Sequence, residues 1–243
     1  MNKNNKTFLL ILVFFLLFSF NPVLALDLET PEELLGLDIE KIEKAPGAFG
    51  LFWRGVKENA SLAFTFDSLK KAAKRLKYAE ERMKIAEILL EEADDPKIQA
   101  RLEKVVDKAN KFIIKLSENE DKIMEKMDGK KEKLLENIAK HRLNREKILE
   151  KIEDRVPVER LEKFQEKREE VEEKSSQFFE KAIKNKEVPE RLKEALKERS
   201  RYLRVILTNR TRSRKEIKEL LKRIESGDEN ARKRLMEMRE TKE

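Results

Sequence analysis

The chain has 243 residues, of which 43% are Asp, Glu, Lys or Arg, and its formal net charge is +7. It contains no cysteine and a single histidine. These counts exclude disulfide bonds, lipid attachment at a cysteine, and every metal site that needs two imidazoles.

The first 25 residues have the layout of a secretory signal. Lys3 and Lys6 form a basic start, a nearly continuous apolar run extends from Phe8 to Phe20, and small residues precede a cleavage position after Ala25. We predict cleavage there and export of the remaining chain. An uncleaved single membrane anchor is the alternative, because Phe8 to Leu26 approaches the length that spans a bilayer.

Residues 26–45 are predicted to form a short helix and a linker. Thr30 followed by Pro31 and by Glu33 is a capping box, which is typical of a helix start. Pro46-Gly47 then opens an aromatic segment that extends to Asp67, the predicted cap of the next helix.

The aromatic segment is predicted to be a helix with one apolar face, because Phe49, Phe52, Trp53 and Val56 follow a three-four spacing. The sequence favours packing of this face over the end of the long helices, where each buried ring contributes roughly 2 to 3 kcal/mol. A membrane-surface helix is the alternative. The candidate interaction residues are Phe49, Phe52, Trp53, Phe64 and Phe66.

Four long segments follow, each with apolar residues at the three-four spacing of a coiled-coil seam. The third segment has a polar middle, which indicates weaker packing or charged partners. Their short connections favour antiparallel neighbours within a main helical domain at residues 46–187, and the seams leave open whether the partner helix is internal or belongs to a second chain. The segments are Leu69 to Ala93, Ile98 to Ile123, Leu134 to Ile152, and Leu161 to Ala182.

Shorter helices are predicted in the C-terminal segment, residues 188–243, after Pro189. They extend from Leu192 to Leu207 and from Ile217 to Ile224, and a last helix follows Ser226-Gly227-Asp228. Since no segment alternates apolar and polar residues as a strand does, we predict an all-α protein of long antiparallel hairpins, coiled-coil-like, with short C-terminal helices.

The order of features in the N-terminal half resembles that of a known family. Pro46 precedes Trp53-Arg54, which is followed by Phe64-Thr65-Phe66-Asp67 and by a helix from Ala79 to Glu87. This order resembles exported bacterial and archaeal proteins built on an uncharacterised helical domain of unknown function, although Ser68 stands where that family has a proline. The resemblance extends over about residues 44–185 and implies export and helices, with no catalytic or binding residues.

No motif in the sequence points to catalysis, a cofactor or a metal. A phosphate-binding glycine loop, a nucleophile elbow and paired cysteines are all missing. His141 lies between Lys140 and Arg142 and is interpreted as a half-exposed helix residue, with a pH-sensitive position in the seam as the alternative. We therefore expect no enzyme; a hidden carboxylate site is the disfavoured alternative.

One charged run is a candidate anion-binding surface, because arginine side chains suit phosphate and carboxylate groups. The favoured interpretation is a helix-loop-helix junction whose arginines pair with acidic residues elsewhere in the protein. Its members are Arg199, Arg201, Arg204, Arg210, Arg212, Arg214 and Lys215.

Together these patterns predict an exported structural or interaction protein of the cell envelope. A periplasmic holdase-type chaperone or envelope-stress protein is the alternative. The expected partner is another protein, an anionic envelope component or a second copy of the chain. Export disfavours nucleic acid, and no cofactor is expected.

Overall fold

The computed structural model describes residues 42–240, apart from the side chains of 206–214 and 239–240. The predicted secretory signal, nearly all of the predicted helix within residues 26–45, and the side chains of Arg210, Arg212 and Arg214 lie outside this description. The residues that are described form helices joined by short turns, without a strand, so the all-α prediction is confirmed.

The helices are numbered here in chain order from the first described one. They are α1 Ala48–Ala63, α2 Ser68–Leu90, α3 Pro96–Ser117, α4 Glu120–Met124, α5 Gly129–Arg155, α6 Val158–Lys184, α7 Glu190–Glu225 and α8 Glu229–Glu240.

The long helices begin where the sequence places caps and prolines. The side chains of Asp67, Asp95 and Asp128 each accept a hydrogen bond from a backbone N–H in the first turn of α2, α3 and α5. Such a bond satisfies a donor that no helical carbonyl can reach and stabilises the helix by about 1 kcal/mol. Pro157 and Pro189 stand immediately before α6 and α7.

The core consists of two apolar clusters at opposite ends of the helices. The first joins the N-terminal halves of α2 and α5 and the start of α7 to the C-terminal halves of α3 and α6. The second joins the other halves of α2, α3 and α5 to the start of α6, the end of α7, and α8. In each cluster, one end of α2, α5 and α7 meets the opposite end of α3 and α6. Therefore α3 and α6 run antiparallel to α2, α5 and α7.

A layer of buried polar side chains lies between the two clusters, on the middle turns of α3, α5 and α6. This position explains the polar middle of the third predicted segment. We call these side chains the polar layer: Asn110, His141, Arg142, Arg145, Glu146, Gln165, Arg168, Glu172 and Ser175.

The two helices predicted after Pro189 are a single helix of 36 residues, α7. The predicted break between Leu207 and Ile217 is wrong, because the apolar spacing stops there without a glycine or proline to end the backbone hydrogen bonding. Polar residues such as Thr208 and Asn209 lower the helix propensity by only a few tenths of a kcal/mol each. Of the predicted short C-terminal helices, only the last is present as such, as α8 with 12 residues.

Candidate functional site

Helix α1 packs on α2 through charged side chains. Glu58 of α1 is 2% exposed, and its carboxylate accepts two hydrogen bonds from the Arg82 guanidinium, at 3.0 and 2.8 Å. Arg54, one turn earlier, pairs with Glu58 at 3.3 Å and donates a hydrogen bond to Glu81 of α2. We call Arg54, Glu58, Glu81 and Arg82 the α1 ion-pair cluster.

Burial of this cluster has an electrostatic cost. It raises the pKa of the Glu81 carboxyl above its ordinary range, although the Arg54 guanidinium opposes the shift. A buried ion pair adds little net stability over an apolar contact, but a member that loses its partner destabilises the fold strongly. The cluster therefore permits one orientation of α1 and penalises the others.

Two leucines complete this contact. Leu62 packs against the first apolar cluster and Leu51 against the second, so α1 runs antiparallel to α2 along most of its length. Both leucines lie on the same side of α1 as Glu58, because residues three, four and seven positions apart share one face of a helix.

The aromatic rings lie on the opposite side of α1 and are exposed to solvent. Phe49 is 74% exposed, Phe52 61%, Trp53 41% and Phe64 55%, and Phe66 in the following turn is 90% exposed. The favoured prediction, that these rings cover the ends of the long helices, is therefore wrong. We call these five residues, together with the exposed Val56, the aromatic face.

The reason for this orientation lies on α2. On the side that meets α1, α2 presents Glu81 and Arg82, so α1 packs by complementary charges in addition to its two leucines. A sequence signal for this was present: Arg54 and Glu58 are spaced one helical turn apart, and an acid-base pair follows on the next helix. Local spacing does not indicate that the Arg54 and Glu58 pair contacts the pair on α2, because the contacting residues are at least 24 positions apart in the sequence.

The aromatic face is large for a surface feature. At roughly 200 Å² per aromatic side chain, the exposed fractions of the five rings leave about 600 Å² in water, the upper end of the largest apolar patch on an ordinary monomer. The rings also contact each other. Trp53 meets Phe49 and Phe52 edge to face, with ring centroids 6.0 and 5.6 Å apart.

The polar layer is a second cluster of buried charges. Arg168 is 1% exposed, donates to Glu146 at 2.7 Å and to Glu153, and lies 3.2 Å from Glu172. Burial by itself raises the pKa of the Glu146 carboxyl, but the guanidiniums of Arg145 and Arg168 outweigh it and hold that pKa below its ordinary range.

His141 belongs to the polar layer and is only 2% exposed, so its interpretation as a half-exposed residue is wrong. Its Nδ1 lies 3.3 Å from a carboxylate oxygen of Glu80. Its Nε2 is buried without a hydrogen-bond partner among the described residues. The three-four spacing of Leu134, Ile138 and Ile148 places position 141 on the apolar side of α5, but its two basic sequence neighbours favoured the exposed interpretation.

The predicted anion-binding residues lie along α7, so they do not form a helix-loop-helix junction. Arg199 donates to the backbone carbonyl of Glu136, at 3.3 Å. Arg201, Arg204 and Lys215 have exposed side chains. The structure therefore describes part of this candidate surface and brings none of the described members into a common pocket.

A cavity of about 280 Å³ lies between α3 and α6. Two ion pairs link the α3 and α6 walls of this cavity: Arg160 with Glu103 at 2.8 Å and Lys167 with Asp107 at 2.7 Å.

Within residues 42–240, no three or more histidine or carboxylate side chains are grouped closely enough to hold a metal ion. In the same part of the chain, no helix combines the length and apolar composition that crossing a bilayer requires.

Comparison with known proteins finds a similarity over part of the chain. Residues 45–128 match the model of a domain of unknown function (DUF5667). The match begins just before Pro46 and ends at Asp128, the cap of α5, so it contains α1 to α4 and the whole α1 ion-pair cluster. The predicted resemblance to an uncharacterised domain is thereby confirmed for residues 45–128, and the match does not extend to residue 185. No curated protein and no solved structure matches the chain.

We expect Arg82→Met to release α1 from α2. The change leaves Glu58 buried with one guanidinium fewer, and breaking a buried pair in this way costs about 3 to 5 kcal/mol. Hydrogen exchange of the α1 amides should accelerate, while exchange in α3 stays slow. The double variant Glu58→Leu with Arg82→Met should restore slow exchange, since it removes both charges.

Lys151→Met is the matched control for that experiment, because it breaks an ion pair with Glu87 in which both side chains are about half exposed. Such a pair contributes at most about 1 kcal/mol. Equal exchange of α1 in Arg82→Met and in Lys151→Met would show that the ion-pair cluster does not hold α1.

We expect Glu146→Gln to lower the free energy of unfolding at pH 7 by about 3 to 5 kcal/mol, because Arg145 and Arg168 lose their buried counter-charge. The folded-state pKa of Glu146 is depressed, so its contribution is complete above the unfolded-state pKa, about 4.3. It disappears as the pH falls through the folded-state value.

Denaturant unfolding of wild type and variant from pH 7 to pH 3 measures this effect. The difference between them should shrink below about pH 4. Glu170→Gln is the control, since Glu170 belongs to an exposed pair with Lys174. A constant difference at every pH would contradict the assignment to Glu146.

Proposed function

We propose that the protein is an exported, non-enzymatic interaction protein of the cell envelope that binds its partner through the aromatic face of α1. The observation that carries this proposal is the orientation of α1, which has charged side chains buried and aromatic side chains exposed. The rest of the helical bundle is the rigid support on which this face is presented.

The energetics of α1 favour a binding role for the face. Burying Phe49, Phe52 and Trp53 would stabilise the fold by several kcal/mol, whereas burying Glu58 and Arg82 adds little. A local arrangement that opposes stability in this way is typical of functional sites. A partner that covers the face would bury these rings, and that burial would contribute to the free energy of binding.

The spacing of the aromatic residues suits recognition of a surface by one side of a helix. Anchors at i, i+3, i+4 and i+7 are how amphipathic helices bind apolar surfaces, and Phe49, Phe52, Trp53 and Val56 have this spacing. Because the ion-pair cluster fixes α1 on α2, the anchors are ordered before binding, which lowers the entropic cost of association.

Export is supported by residues 1–25, with their basic start, apolar run and small residues before the cleavage position. A periplasmic or extracellular location also agrees with a chain that uses no cysteine. The proposal that the protein is not an enzyme is supported by the lack of a catalytic motif in the sequence and by the mutual pairing of charges in the polar layer.

Site-specific photo-cross-linking in the cells that make the protein tests this function. A photoreactive phenylalanine analogue at position 52 should form adducts with a partner, whether protein or lipid. The same analogue at position 202 is the matched control, because Tyr202 on α7 is 55% exposed and Phe52 is 61% exposed. Equal adduct yields from the two positions would contradict a binding role for the aromatic face.

A holdase-type chaperone is a second candidate function, favoured by the same exposed rings, because holdases retain unfolded chains on apolar surface. Such a chaperone would suppress aggregation of an unfolded client at an equimolar ratio, and Phe49→Ala with Phe52→Ala would weaken the suppression. We expect aggregation to continue unchanged, since a rigid helix presents one fixed arrangement of rings. Suppression that depends on these two residues would favour the chaperone instead.

A further inference from the structure

We propose that the aromatic face of α1 docks on the surface of an anionic lipid bilayer. This inference rests on the proposed function and names the partner of the same face. It depends on three observations: the side chains exposed on α1, the charges beside them, and the shape of the apolar surface.

The exposed side of α1 has the composition of a helix that lies in a membrane interface. Such helices place Trp and Phe at the boundary between headgroups and acyl chains and keep basic residues beside them. Among residues 48–63, all of which are described, Lys57 is the one exposed side chain that carries a charge. The acidic residue of α1, Glu58, is buried in the ion-pair cluster, so no carboxylate of the helix faces the lipid.

A basic group lies at one edge of the face, where the partly exposed Lys108 ammonium donates a hydrogen bond to the Asn59 side-chain carbonyl, at 3.0 Å. Lys74, which donates to the Ser61 hydroxyl at 2.8 Å, is buried and does not reach the lipid. Residues 42–75 contain seven Lys or Arg and three Asp or Glu, a net charge of +4. This charge complements anionic headgroups, to which each nearby lysine adds attraction.

The shape and charge of the face favour a bilayer over a second copy of the chain. The apolar strip is one helix of 16 residues, about 24 Å long. A second copy docked face to face would bring two segments of net charge +4 together, whereas anionic headgroups oppose this charge. A bilayer surface accepts a convex helix without supplying a matching groove, and export brings the protein to such a surface.

Trp53 is the single tryptophan of the chain, so its fluorescence reports on the proposed contact alone. The experiment adds the full chain to vesicles of phosphatidylcholine with phosphatidylglycerol, and to vesicles of phosphatidylcholine only. With the anionic vesicles, we expect Trp53 emission to shift to shorter wavelength and quenching by acrylamide to decrease. The effect should be weaker with neutral vesicles.

Two double variants identify the residues responsible, and all proteins share the same N-terminal 25 residues, whose own lipid affinity is therefore constant. Phe49→Ala with Phe52→Ala should lower partitioning of the Trp53 region by about tenfold or more. Tyr202→Ala with Val205→Ala is the matched control. It removes side chains of α7 that are 55% and 60% exposed, and it should leave the Trp53 signal unchanged.

Three results would overturn the proposal: Trp53 as accessible to acrylamide with anionic vesicles as in buffer, equal binding to neutral and anionic vesicles, or equal loss of signal in both double variants. A shift of Trp53 emission to shorter wavelength that grows with protein concentration in the absence of vesicles would also overturn the proposal. It would indicate that the face binds a second copy of the chain. Protein adducts from position 52 without a vesicle signal would overturn the membrane inference and leave the proposed function standing. Equal adduct yields from positions 52 and 202 would overturn both.

Discussion

The buried pair of Glu58 and Arg82 determines which side of α1 meets water. With Arg54 and Glu81 it forms a contact that is satisfied in one orientation, because rotation of α1 about its axis would leave four charges with fewer partners. Removing a partner from a buried charge costs several kcal/mol, so the four charges together oppose a rotation that would bury the rings. The exposure of Phe49, Trp53 and the other rings is therefore a consequence of electrostatics on the opposite side of the helix.

The same constraint acts inside the bundle. Apolar residues at a three-four spacing would allow neighbouring helices to slide by a turn with similar burial. Arg168 prevents this for α6, because a shift of one turn, 5.4 Å, would separate its guanidinium from Glu146 at 2.7 Å. We infer that the polar layer fixes the register of α5 and α6, while the apolar clusters on either side supply the stability.

The sequence predicts helices and their limits well, because these depend on local chemistry. Asp67 caps α2 as expected, and a helix begins after Pro189 as expected. Orientation could not be predicted, since spacing identifies the two faces of a helix without saying which face a neighbour will meet. His141 illustrates the same limit: its burial depends on Glu80 of another helix. The missed continuity of α7 has a different cause, because loss of apolar spacing was equated with loss of helix.

The matched segment contains the residues that expose the aromatic face, but part of the apolar core on which it packs lies beyond the match. Residues 45–128 contain the aromatic face and all four members of the α1 ion-pair cluster, so this segment carries the determinants of the exposed orientation. It does not bury its own core. Phe112 and Leu116 of α3 share the first apolar cluster with Leu134 of α5 and Phe178 of α6, which lie beyond the match. Helices α5 and α6 therefore supply the apolar surface that keeps α2 and α3 folded, and α2 in turn holds α1 with its rings outward.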